Sequence, residues 1–241
     1  MLKNRFLIII VSMIIALIGA GAYFTSRATS LHAANNDFVL VWSSNSYLPT
    51  GYEGKALPSR GSQISVFILP TGQTSQNPNG LNYRWIRDGQ IAGYANGRGK
   101  TSFKFVATKW YGEEHEVRVQ VLDSQENVTF ESTTYIPVVE PEILIKHTDS
   151  DYTAPKELYS SLGANLALKA VPLFFSVQKI DELNLNWQLD DQDVASDNVI
   201  TIKIPTGDKL SEPLQKTISL SATRKTDKLQ QASSKTMLII E

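Results

Sequence analysis

The chain contains no cysteine and only three histidines and three methionines in 241 residues. Disulfides, thiolate zinc sites, iron–sulfur clusters and cysteine nucleophiles are therefore excluded together. Charge of one sign is missing as well, the formal net charge being −1. Residues 1–34 hold Lys3, Arg5 and Arg27 and no acid, so the remaining 20 basic and 24 acidic side chains give the rest of the chain −4. Such mild acidity offers no electrostatic footprint for DNA or RNA and excludes nucleic acid as a partner. Long amphipathic helices are lacking too, because no stretch after residue 37 sustains a 3.6-residue apolar period. What remains is an ordinary globular composition, 42% apolar and 20% charged. Its length allows one large domain or two modest ones.

Residues 1–5 (MLKNR) form a short basic start. They lead into the run Phe6 to Phe24, where Ser12 is the one clearly polar side chain. Nineteen residues at about 1.5 Å each reach about 28 Å as a helix, close to the roughly 30 Å hydrocarbon core of a bilayer. The run reads as an uncleaved transmembrane helix, or as a signal sequence cut near Ala20-Gly21-Ala22; its length favours the anchor. Either reading exports the remainder, and Lys3 and Arg5 ahead of the run point the same way. Residues 25–37 (TSRATSLHAANND) are small, polar and aperiodic, and read as a flexible tether.

From Phe38 the sequence is a series of β-type runs separated by turn residues. The first half offers 38–42 (FVLVW), 62–69, 81–86, 101–107, 115–122 and 128–138. In 115–122 Val117, Val119 and Val121 alternate with Glu116, Arg118 and Gln120, the mark of a strand with one wet face. After Glu140-Pro141-Glu142 the pattern resumes at 142–147, 166–177, 183–189, 199–204, 214–222 and 236–240. Pro172 predicts an edge or bulge within its run. Residues 155–162 (PKELYSSL) predict one short helical turn.

The two halves echo each other. LNYRWIRDGQ (81–90) aligns without gaps on LNLNWQLDDQ (183–192), sharing Leu, Asn, Trp, Asp and Gln at an offset of 102. That offset is the size of a small sandwich domain. Tyr83 and Trp85 share one strand face, as do Leu185 and Trp187, so each tryptophan is expected at the centre of its own core. The domains follow as 38–138 and 139–241. Val117 and Val119 join Tyr83, Trp85 and Trp187 as the expected structural core.

Tyr83-Arg-Trp85-Ile-Arg-Asp88-Gly89 resembles the Y-x-W-x-x-x-G signature of PKD-like domains, a branch of the immunoglobulin-like sandwiches. Tyr111 to Asp123 is similar to that family's later strand with its alternating valines. The second half keeps the resemblance mainly in Leu183 to Gln192, without the glycine. The resemblance implies an all-β fold of two tandem immunoglobulin-like (PKD-like) β-sandwiches. It also implies spacer and interaction modules of exported proteins, without catalysis of their own.

Motifs that carry chemistry are few. Gly93 to Thr101 looks like a phosphate-binding loop, but it has five residues where four are needed and no helix after it, so it reads as a glycine-rich turn. Asp149/Asp151 and Asp190/Asp191/Asp193 could supply two or three oxygens to calcium, against the six to eight it wants; strand-end turns explain them better. His32, His115 and His147 lack a second ligand at metal spacing, and no G-x-S-x-G elbow accompanies them. Asn127-Val-Thr129 fits a glycosylation acceptor. Tyr47, Tyr52, Tyr94, Trp110 and Tyr111 fall in loops; of these Trp110, Tyr94 and Tyr52 are the candidate contacts for a partner or a glycan. Tyr111 matches the family's structural tyrosine, so burial is the favoured reading for the pair Trp110 and Tyr111.

The expectation from sequence is a protein with no enzyme activity, no metal and no cofactor. It is expected in the cell membrane, single-pass, with its C-terminal domains outside the cytoplasm, as a scaffold or adaptor for another envelope protein. A carbohydrate- or cell-wall-binding surface module is the alternative, and a periplasmic pilus-type chaperone a more distant one.

Overall fold

Short β-branched and aromatic runs cannot bury both faces alone, so they pair into sheets and the sheets stack. A computed structural model describes residues 38–71, 77–149, 156–207 and 210–241. Among these no helix is long and apolar enough to cross a membrane. The basic start, the run Phe6 to Phe24, the tether, His32 and Asp151 lie outside them.

The first sandwich stacks two antiparallel sheets. One has the order β1 (Phe38–Ser44), β2 (Gln63–Pro70), β6 (Ser102–Val106). The other has the order β4 (Gln90–Ile91), β3 (Asn82–Arg87), β7 (Glu114–Leu122), β8 (Val128–Pro137), with β5 (Gly97–Arg98) also on β3. Ile64, Val66, Ile68, Phe103 and Phe105 from one sheet meet Tyr83, Trp85, Val117, Val119 and Val121 from the other. Trp85, Val117 and Val119 are fully buried. The buried indole donates Nε1–H to Lys100 O at 2.9 Å, so its polar atom is satisfied.

The second sandwich repeats this plan. β9 (Glu142–His147), β11 (Asn165–Leu173) and β14 (Val199–Lys203) form one sheet. β10 (Glu157–Ser160), β16 (Asp227–Ile240), β15 (Leu214–Arg224), β12 (Leu183–Leu189) and β13 (Gln192–Ala195) form the other. Trp187, fully buried, donates Nε1–H to Asp197 O at 2.9 Å. The architecture is all-β, two tandem immunoglobulin-like sandwiches. Pro172 sits where β14 has already ended its pairing at Lys169, so its missing N–H costs the sheet nothing. The helical turn expected in 155–162 is absent from the described part, residues 156–162. Glu157–Ser160 instead runs parallel to Met237–Ile240, because strand pairing satisfies its backbone while Leu158 turns into the core.

The duplication extends beyond the tryptophans. Asp88 and Asp190 both adopt left-handed backbone, φ 50° and 49°, tolerated by a short polar side chain. Each N–H bonds a carbonyl of the neighbouring strand at 2.9 Å, Glu116 O and Thr217 O respectively. Each carboxylate accepts the N–H of that same residue. Val139 N bonds Pro58 O at 2.9 Å and Glu241 N bonds Ser160 O at 3.0 Å, again 102 residues apart.

Candidate functional site

The described residues from Phe38 onward form one compact unit, and a polar junction joins its sandwiches. Gln230, on β16 and 2% exposed, accepts Ser176 N–H at 2.7 Å. Its amide nitrogen donates to Ser59 Oγ at 3.0 Å and to Arg60 O. Ser176 Oγ donates to Gly61 O at 2.8 Å. Tyr47 N donates to Phe175 O at 2.7 Å and Phe174 N to Tyr47 O at 2.9 Å, a short antiparallel stitch. Phe174 takes φ 62°, a strained conformation for a bulky residue, and sets its ring edge-on to Tyr52 at 6.0 Å. These groups are buried and paired, so the junction holds its polar atoms in place of water.

Beside the junction opens a cavity of about 140 Å³, lined among others by Arg60, Trp110, Tyr111, Glu140, Asp227 and Leu229. Trp110, 52% exposed, carries the Arg60 guanidinium 4.0 Å from its ring centroid. Arg60 Nη1 is buried and has no hydrogen-bond partner. Of the three candidate aromatics, Trp110 alone lines this cavity. Tyr52 packs on Phe174, while Tyr94 lies against Phe103 and bonds Lys104 O on the free edge of β6. Tyr111 is exposed, not buried as the family's structural tyrosine would be.

A second surface lies on the first sandwich, whose two outer walls differ in chemistry. On the β3–β7–β8 wall Arg118 faces Glu116 and Glu131 at 3.7 and 3.8 Å, and Arg84 reaches Gln120 and Glu126. On the other wall Val39 pairs with Leu69 and Val41 with Phe67 in adjacent register. Val39, Val41 and Leu69 are exposed and Phe67 is half-buried. The corresponding sheet of the second sandwich places Lys146, Lys169, Thr201 and Lys203 on its strands at positions that are not buried. Leu144, Ala167 and Val199 share that face, so the second wall mixes charged and apolar side chains, whereas β1 and β2 of the first set four apolar ones side by side. In the sequence these residues read only as strand formers. The signal was the lack of alternation in FVLVW and SVFIL, which marks a sheet covered on both faces.

The titratable groups are committed to structure. His115 is fully buried; its Nε2 accepts Thr108 N–H at 3.3 Å, so the proton sits on Nδ1, 2.7 Å from Asp88 Oδ2. Lys109 Nζ lies 2.9 Å from Asp88 Oδ1. Partial burial pushes the Asp88 carboxyl up, but the bonds from His115, Lys109 and the Glu116 N–H outweigh it and hold the group below its ordinary value. Asp190 is held low by Lys216 at 2.6 Å and by the Thr217 N–H. Asp193 accepts from Asn186 and Gln188, both at 2.9 Å. Asn127 bonds Asp123, and Gly93–Ala95 is a single 3-10 turn leading into β5. Among the described residues no group of three His, Cys, Asp or Glu is placed to hold a metal ion.

No family model matches the chain, and no curated protein matches it. Solved structures do. The three N-terminal domains of the outer capsid protein Hoc of bacteriophage RB49 are 17% identical, with a TM-score of 0.45 over 84% of this chain; the chain spans 58% of that one. Fibronectin(III)-like modules of Clostridium thermocellum CbhA are 13% identical, TM-score 0.28, covering 83% of this chain and 94% of theirs. Bacteroides ovatus SGBP-B, solved with a mixed-linkage heptasaccharide, is 14% identical, TM-score 0.24, covering 86% of this chain and 48% of its own. These are likenesses of fold alone.

Proposed function

We propose that the chain is a non-catalytic scaffold of the cell envelope, anchored by Phe6 to Phe24 and facing outward, that docks another envelope protein on the apolar wall of its first sandwich. The observation that carries this reading is the contrast between that wall and the charged one behind it. Val39, Val41, Phe67 and Leu69 form a contiguous aliphatic and aromatic patch on a rigid sheet, where an uncovered antiparallel sheet normally alternates to polar residues. The hydrogen-bonded junction supports a scaffold's role, since it fixes the second sandwich against the first. The PKD-like signature around Trp85 and the basic residues ahead of the apolar run are consistent with an exported interaction module.

The test is a pull-down of the tagged full chain from native membranes, comparing the unaltered protein with Val41→Lys. One recurrent envelope protein, lost on substitution, is the expected result. A chain that purifies alone, or a partner kept by Val41→Lys, defeats the docking surface.

A further inference from the structure

The geometry points to a saccharide site in the junction cavity, one that seats a neutral hexose or N-acetylhexosamine unit of a polysaccharide. A cavity of about 140 Å³ beside a half-exposed indole is suited in size to one sugar ring. Arg60 pins that indole from one side, so the platform is fixed before any ligand arrives. The buried Arg60 Nη1 is a donor without an acceptor, which a ring or acetamide oxygen would satisfy once the Arg60 side chain shifts to meet it. Glu140 and Asp227 line the same space and can only accept when ionised, which suits hydroxyl donors.

One cation and two carboxylates leave the lining with a formal excess of negative charge, which disfavours uronic acids and phosphates. A neutral polyol offers a donor and an acceptor at nearly every carbon and matches this mixed set. Beyond the cavity Tyr111, 61% exposed, offers a second ring-sized surface for the adjoining unit of a chain. The inference goes beyond the protein-docking reading and uses none of the residues of the apolar wall, so either can fail without the other.

The experiment is isothermal titration calorimetry of the full chain in a zwitterionic detergent, which has no sugar headgroup to compete. The probes are β-1,4-linked tetramers of N-acetylglucosamine and of glucose, with tetragalacturonate as the anionic comparison. Saturable binding of a neutral tetramer is expected, weakened roughly tenfold or more by Trp110→Ala. Trp110→Phe, which keeps a platform, retains most of it; Asp227→Asn weakens it and Val41→Lys leaves it unchanged. Because Trp110 is exposed, circular dichroism should show each variant folded. Absence of binding by both neutral tetramers at millimolar concentration, binding that survives Trp110→Ala, or tighter binding of tetragalacturonate overturns the proposal. So does a protein captured through Trp110 by a chain that ignores both sugars.

Discussion

Replacing Gln230 by alanine should uncouple the two sandwiches. The side chain makes two bonds across the junction, to Ser59 Oγ and Arg60 O, and a third to Ser176 N within its own sandwich. Two neutral bonds are worth about 1–3 kcal/mol together, and a buried Ser176 N–H left without a partner adds about 1–3 kcal/mol. What remains is the Tyr47 stitch, the bond from Ser176 Oγ to Gly61 O and the Tyr52–Phe174 ring contact. For a body of this size, each kcal/mol lowers the melting temperature by about 2–4 °C, so a loss of about 2–6 kcal/mol gives a drop of roughly 4–24 °C. Gln230→Glu separates the contributions, since its carboxylate still accepts Ser176 N–H but can no longer donate to Ser59 or Arg60. The chain has no cysteine, so thiols introduced at the exposed Lys104 and Lys235 take spin labels without interference. Pulsed electron–electron distances between them should be narrow in the unaltered protein and broad in Gln230→Ala, with calorimetric unfolding split into two transitions. An unchanged distance distribution together with an unchanged melting temperature refutes the idea that these bonds fix the junction.

Trp187→Ala removes a fully buried indole and its bond to Asp197 O, and should cost the second sandwich about 3–5 kcal/mol in urea unfolding. A loss below about 1 kcal/mol contradicts its central place. Asp88→Asn tests the low carboxyl of Asp88. Because the folded group titrates below its unfolded value, its stabilisation is complete above the unfolded carboxylate range and disappears as pH falls through the folded value. The stability gap between the unaltered protein and Asp88→Asn should therefore shrink on acidification; a gap that widens is the contrary result. Val41→Lys, on an exposed strand face, should change stability by no more than about 0.5 kcal/mol while abolishing partner capture.

The strands were legible wherever side chains report burial. HEVRVQVL alternates because one face of β7 packs against the opposite sheet, and the Leu-Asn-x-x-Trp repeat shows where β3 and β12 lie. The first nine residues of β16 were not legible. DKLQQASSK is polar, buries only Gln230, and is a strand because β15 supplies its hydrogen-bond partners. β11 stops at Leu173, short of its apolar run, because Phe174 turns left-handed to reach Tyr47. The junction gave no signal at all, since Ser59, Gly61, Ser176 and Gln230 are small or polar and the bonds across it join residues more than a hundred positions apart. The apolar wall did leave a trace in FVLVW. That pattern tells that a face is covered without telling by what.

The β1–β2 wall is the proposed seat of the partner. A photo-crosslinking amino acid at position 41 of the full chain, activated in native membranes, tests this most directly, with position 118 on the charged wall as the control. A single recurrent envelope protein should be attached from position 41 and none from 118. No adduct from 41, or the same adduct from both walls, would contradict it.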